Sequence, residues 1–334
     1  MSLISELHFF WPAHYLFGHE PKSLQKLLTI AKKNNSKSCL DNLADHLKLP
    51  LPLPLAALES LGIWPQSRAI LPAFCLSIKL LRYTLGPRGS FAQEIPADFS
   101  MEESRSLAKD LAPLLNPGSI IQVASPDQWY LYSHQAPDFV SLPLNFLEPL
   151  PALRFRGPQA QSWQRLQTEL EMALSLSEVN LSRQRQGQAQ IQGLWISGEG
   201  CLPSTAETCS EESIWSDQPL AQGLAKLKNL PLHPWPENLA ELFKTTNSKI
   251  CLLFSLPFCH TIARHQQDLL AWQDFWEQQW FAPLLLALKT RRLKKLMIYV
   301  EDQSFSISGP YLKWFWILKH VHKRTITSIA KSAS

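Results

Sequence analysis

The chain has 334 residues, 45% hydrophobic and 18% charged, enough apolar material to bury one sizeable core or two smaller ones. A formal net charge of +4 is small for that length and gives no warrant for a nucleic-acid binder, which usually shows a concentrated basic face. Cys39, Cys75, Cys201, Cys209, Cys251 and Cys259 lie far apart with no Cys-x-x-Cys pair, a pattern of neither a disulfide framework nor a zinc ribbon.

The first residues, Met1 to His8, lack a basic stretch followed by a continuous apolar run. No uncharged apolar segment reaches bilayer length, so a cytoplasmic protein without a membrane partner is expected. Lys22 to Lys33 and residues 38–47 read as short amphipathic helices, and the alternating leucines and prolines from Leu49 to Leu55 form a connector that continues neither. Pro54 to Leu61 and Pro72 to Leu81 are expected as further helices. Leu107, Leu111 and Leu114 place a helix over Met101 to Leu115, stopped by Asn116-Pro117-Gly118. Ser119 to Ala124 and Trp129 to Tyr132 then read as a β-hairpin about the turn Ser125-Pro126-Asp127-Gln128. A proline-rich crossing from Leu142 to Pro158 follows.

Beyond it the elements alternate in type. A helix over Gln159 to Gln186, a strand over Ile191 to Ser197, a strand over Ser213 to Trp215, helices over Leu220 to Leu227 and Pro236 to Phe243, a strand over Lys249 to Ser255, a helix over Gln266 to Leu288 and a strand over Lys295 to Glu301 make a βαβ-like succession. Phe305 to Ser308 fits a hairpin partner for the last of these. The expected fold is α/β, a mostly parallel sheet flanked by helices. It is preceded by a mainly helical part (1–150) carrying the small hairpin, spans 151–325, and ends in a disordered tail (326–334).

The segment from Asn180 to Gly200 concentrates the candidate site residues. Its helix stops at Gly187, a short apolar strand with Trp195 follows, and Ser197-Gly198-Glu199-Gly200 lets the backbone turn sharply where ligand crevices form in open sheets. Arg183 can hold a carboxylate or phosphate in bidentate fashion, or pair with a nearby Glu or the helix's last carbonyls. Asn180 can pin the adjoining loop through its amide. Gly198 and Gly200 can offer backbone N–H groups to an anion, although Glu199 opposes one and no Walker lysine follows. Ser197 and Ser204 are loop hydroxyls without an activating His close in sequence. Cys259, His260 and His265 follow a strand and can be imagined as a thiolate or metal pair, with His260 the candidate ligand-binding residue; Asp217, Glu301 and Asp302 also fall at strand ends and can ligate a metal with them, solvated loop charge being the default. The stripe Trp272, Phe275, Trp276, Trp280 and Phe281 reads as core or interface. The basic runs Arg291-Arg292-Leu-Lys294-Lys295 and His320-Val-His322-Lys323-Arg324 read as a solvated helix end and a frayed tail.

The pattern Asn180-x-x-Arg183-x-x-x-Gly187, the apolar strand with Trp195 and the Gly198-Glu199-Gly200 loop resemble bacterial proteins related to cofactor-independent phosphoglycerate mutases, often labelled regulatory protein of RpfE type. Glu169 to Leu174, Ala271 to Trp276, Trp280 to Pro283 and Lys294 to Tyr299 fit the same register, so the resemblance spans roughly residues 95 to 325. It implies an alkaline-phosphatase or phosphomutase-like scaffold. Two departures stand out: Gln192 where relatives usually carry Asn, and Ser197 to Gly200 where they carry a second Trp and a run of glycines. The archaeal-type mutases need a Ser nucleophile beside clustered Asp and His metal ligands. This sequence has no Asp-Gly-x-x-Asp opening, its one Asp-His pair is Asp45-His46 inside an expected helix, and its ten histidines are scattered. Phosphoryl transfer needs cations to neutralise the transferring group, and divalent metals need several converging donors. The resemblance therefore implies a degenerate scaffold without assigned catalytic or metal-ligating residues and without a cofactor. Such a protein is non-catalytic or regulatory and binds a small anion or a protein partner, with its oligomeric state open. The alternative is an active mutase or phosphohydrolase using a divalent metal such as manganese.

Overall fold

The computed structural model describes residues 4–11, 22–35, 38–66, 71–144, 146, 149–203, 212–244, 248–253, 271, 274–300 and 303–308. Its strands, in chain order, are β1 (Ile4–Trp11), β2 (Lys32–Asn35), β3 (Phe74–Gly86), β4 (Gly89–Gln93), β5 (Ile120–Ser125), β6 (Gln128–Ser133), β7 (Val140–Ser141), β8 (Phe155–Arg156), β9 (Gly193–Cys201), β10 (Glu212–Trp215), β11 (Leu232–His233), β12 (Lys249–Leu253), β13 (Leu293–Val300) and β14 (Gln303–Ser308). The helices are α1 (Lys22–Ile30), α2 (Cys39–His46), α3 (Leu55–Ile63), α4 (Met101–Leu111), α5 (Ala160–Leu176), α6 (Glu178–Arg185), α7 (Pro219–Lys228), α8 (Leu239–Leu242) and α9 (Ala282–Lys289). They fall into two compact units, Met1–Leu51 with Ala206–Ser334, and Pro52–Thr205. The expected boundary near residue 150 lies inside the second of these.

The first unit is a seven-stranded sheet in the order β11-β10-β12-β1-β13-β14-β2. It is parallel from β11 through β13; β14 and β2 are antiparallel. Side chains alternate across a strand, so Leu7 and Phe9 of β1 point to one face and Glu6, His8 and Phe10 to the other. The first face carries the apolar core, in which Leu7, Phe9, Ile250, Leu296 and Ile298 meet Leu24 and Leu27 of α1, Trp276, Trp280 and Phe281, and Leu284 and Leu288 of α9. Burying these side chains contributes about 1.5–3 kcal/mol each. The aromatic stripe is thus core, with Phe275 at its exposed margin. A π-turn, Glu277–Phe281, leads into α9 and aims the Glu277 carboxylate at the start of α1. There it accepts from the Ser23 amide at 2.8 Å and the Ser23 hydroxyl at 2.6 Å, satisfying an orphan donor of the first turn.

The second unit is an antiparallel sheet of β3, β4, β5, β6 and β9. Phe74, Leu76, Ile78 and Leu80 of β3 pack with α4 and α5 on one face. Cys75 points to the other, with Ala56 and Ala57 of α3 and with Tyr130 and Tyr132. That period of two explains why Pro72 to Leu81, expected as helix, is strand: the apolar residues alternate faces instead of sharing a helical stripe. The first 150 residues are correspondingly less helical than expected, since β1 to β7 all lie there. Residues 120–133 do form an antiparallel hairpin, as part of the larger sheet. The helix expected over Gln159 to Gln186 is two helices, because Ser177 leaves the helical conformation and its Oγ caps α6 by accepting from the Asn180 amide.

Candidate functional site

The helix–strand–glycine segment lies in the second unit, and β9 runs antiparallel to β3. The end of β9 is therefore not the crevice of a parallel sheet, the setting expected for it. Asn180 is fully buried and bridges the end of α5 to the approach of β9. Its Nδ2 donates to the Leu174 and Ile191 carbonyls at 2.7 Å each, and its Oδ1 accepts from the Ile191 amide at 2.9 Å. Arg183 is 2% exposed; it donates from Nε to the Ala189 carbonyl, from Nη1 to Glu103 and from Nη2 to Asp98, with its guanidinium 5.5 Å over the Phe99 ring. The carboxylates it holds belong to its own unit. Burial opposes the charge on Arg183, and the bonds to Glu103 and Asp98 outweigh that, so its pKa is raised.

Gly198 and Gly200 take left-handed or extended positive φ values of 73° and 152°. A Cβ on Gly198 would lie 3.1 Å from the Ala56 amide nitrogen, and one on Gly200 would lie 2.6 Å from the Pro54 Cβ. These glycines admit the N-terminus of α3 against an irregular stretch of β9, where the register to β3 shifts between Cys75 and Ser77. Ser197 is half-buried opposite Ser77. Glu199 accepts from the Ser141 amide at 2.8 Å and from the Ser141 hydroxyl, tying β7 down.

Sequence reading missed a second network beside this segment. Arg154 Nη1 donates to Glu171 at 2.6 Å and to the Leu194 carbonyl at 3.2 Å, while Nη2 reaches the Tyr83 hydroxyl, which itself donates to Glu171 at 2.6 Å. The guanidinium also lies 5.2 Å over the Trp195 ring. Burial first, and the Glu171 charge second, raise the Tyr83 pKa, so the phenol stays protonated. Gly193 makes room for that ring: a Cβ there would come within 1.8 Å of the Tyr83 oxygen. Since Glu171 and Arg154 both hold the Tyr83 hydroxyl, Gly193→Ala is expected to cost about 2 kcal/mol, read as a lowered urea midpoint. An unchanged midpoint would mean that Tyr83 swings clear at no cost. Gln192, the departure from the relatives' Asn, accepts from the Tyr83 amide at 2.7 Å.

In the first unit, ligand crevices belong at the carboxyl ends of the parallel strands. After β10, Asp217 accepts from the Trp235 amide at 3.1 Å, and the Ser216 hydroxyl accepts from the Gln218 amide at 3.2 Å. Ser204, Cys259, His260, His265, Trp272, Glu301, Asp302 and the run from His320 to Arg324 lie outside the described residues. Among the described residues no three His, Cys, Asp or Glu side chains are grouped to hold a metal ion.

The ionisable groups that do meet lie on the other face of this sheet, beneath α2. Register places Glu6 beside Lys295, Phe10 beside Tyr299, and His8 beside Cys251. His46, in the last turn of α2, lies against His8 with ring centroids 3.9 Å apart and planes tilted by 31°, and bonds Glu212 of β10 through Nε2 at 2.5 Å. His8 bonds the Tyr299 hydroxyl at 3.1 Å through Nδ1 and approaches Glu6 at 3.4 Å through Nε2. Burial, then the charge of His46, pushes the His8 pKa down to about 4, so its ring is neutral at neutral pH. For Glu6, burial is outweighed by hydrogen bonds from Lys295 and His8 and its pKa is lowered. His8 and Glu212 are each 4% exposed, and the layer holds α2 on the sheet.

No family model matches the sequence, and no curated protein matches it. Among solved structures, the chain is similar to the PH0037 protein from Pyrococcus horikoshii, at 12% identity and a TM-score of 0.50 over 92% of this chain and 88% of that one. It is also similar to the cofactor-independent phosphoglycerate mutase from Thermoplasma acidophilum DSM 1728, at 15% identity and a TM-score of 0.41 over 92% and 90%. At these identities the first likeness bears on the fold alone and the second carries no argument. Among the described residues no helix is long and apolar enough to cross a membrane.

Proposed function

We propose that this chain is a non-catalytic, regulatory protein of the cytoplasm on a phosphoglycerate mutase-like scaffold, acting by binding a small anion or a protein partner. What supports the reading most is where its ionisable side chains are spent. His8, His46, Glu6 and Glu212 are paired with one another and with Lys295 and Tyr299 beneath α2. Arg183, the cation best suited by type to an anionic substrate, is closed by Glu103 and Asp98. A phosphoryl-transfer centre needs such groups converging on a reacting atom in an accessible cleft. The direct test is interconversion of 3- and 2-phosphoglycerate by the full chain with and without manganese. No turnover above the protein-free rate is expected in either condition, and manganese-dependent turnover would establish the catalytic alternative.

A further inference from the structure

At the opposite end of the first unit's sheet, where β13 begins, α8 and α9 flank a half-open cavity of about 200 Å³ lined by Leu239, Ala240, Phe243, Leu286, Ala287 and Arg292, among others. The chain reaches Arg292 by a tight stop: α9 ends at Lys289, Arg291 adopts a left-handed φ of 59°, and the Arg292 amide returns to the Ala287 carbonyl at 2.9 Å. This lays the Arg292 guanidinium 4.3 Å over the Phe243 ring, at the cavity wall. The ring contact fixes the plane of the cation without using its N–H edge. Arg292 Nε is buried with no hydrogen-bond partner, and no carboxylate forms an ion pair with this guanidinium among the described residues. The Thr290 hydroxyl, the other polar group of the lining, already donates to the Leu286 carbonyl at 2.9 Å. Leu286 is 60% exposed at the rim.

We propose that this cavity binds a small amphiphilic carboxylate, its apolar tail against Leu239, Phe243, Leu286 and Ala287 and its carboxylate on Arg292. An apolar wall with one cation that lacks a protein carboxylate is complementary to a monoanion with an apolar body. A single guanidinium matches a carboxylate in bidentate geometry, whereas a phosphate dianion calls for further cations. The volume is below that of a drug-sized site, which limits the tail to a few carbons. The site is remote in the sheet from the strand ends where phosphoglycerate would be expected, so it stands or falls independently of the regulatory reading.

The probe is hexanoate, titrated calorimetrically into the full chain, with 1-hexanol and acetate as arms that keep only the tail or only the head. Saturable hexanoate binding is expected, with both controls at least about tenfold weaker. Arg292→Gln is expected to weaken hexanoate to the level of hexanol. Ala240→Phe, at an exposed rim position, should block the tail while leaving the guanidinium in place, and it guards against misfolding of the first variant; the thermal transition of each variant is recorded. Absence of saturable hexanoate binding, equal binding of hexanol and hexanoate, or hexanoate affinity unchanged in folded Arg292→Gln or Ala240→Phe protein would overturn the proposal.

Discussion

Asn180→Ala is expected to lower the unfolding free energy by about 3 kcal/mol, because the amide and carbonyl of Ile191 would both be left buried without a partner. Leu174 would lose one bond but keep the Ser177 hydroxyl, which donates to its carbonyl at 2.9 Å. Asn180→Asp separates hydrogen bonding from shape. The carboxylate still accepts from the Ile191 amide, but its second oxygen then faces two carbonyls, and only the protonated acid can donate to one of them. Its folded pKa is therefore raised, so the compensating stability is present below the ordinary Asp value and is lost as pH rises through the folded value. Urea unfolding at pH 7 and pH 5 should find Asn180→Asp at least as damaging as Asn180→Ala at pH 7 and partly recovered at pH 5. If Asn180 served a ligand instead of the junction between α5 and β9, the midpoints would hold and a ligand affinity would fall.

Acid is expected to destabilise the first unit between pH 6.5 and pH 4, with a total loss of about 3 kcal/mol carried by His8. The unfolded ring takes a proton near its ordinary value of 6.5, whereas the folded ring does so at about 4. The stabilising preference for the neutral form is complete above the unfolded value and is lost as pH falls towards the folded one. A proton on His8 would put a charge on a ring 3.9 Å from that of His46, under a helix whose Leu43 and Ala44 are buried. His8→Gln keeps the site polar and removes the titration, so the slope of stability over this interval should flatten whatever the variant does to stability at pH 8. An equally steep slope in the variant would assign the acid sensitivity to the carboxylates instead.

Much of the architecture was legible where periodicity is local. β10, β12, β13 and β14 follow from short apolar runs, whereas β11, only two residues long, carries no such run. The helical spacing of Trp272, Phe275, Trp276, Trp280 and Phe281 reads as core or interface, and Trp276, Trp280 and Phe281 are core. β1 escaped notice because one of its faces carries Glu6 and His8, which hides the apolar alternation of Leu7 and Phe9. Its aromatic run Phe9-Phe10-Trp11 was the available signal. β9 was found as a strand but set in the wrong kind of sheet, since strand direction depends on β3, over a hundred residues away in sequence. The partners of Arg183 were foreseeable in kind, as nearby carboxylates, but Glu103 and Asp98 are not neighbours in sequence. No local pattern links Arg154 to Tyr83 and Glu171, or His8 to His46 and Glu212. Those constellations exist only after the sheets have assembled.

On the proposed regulatory reading the chain forms no phosphoryl-enzyme, and native mass spectrometry of the full chain tests that most directly. After incubation with manganese and 3-phosphoglycerate followed by buffer exchange, the account predicts the mass of the unmodified chain. A species heavier by two manganese ions and one phosphoryl group would contradict it.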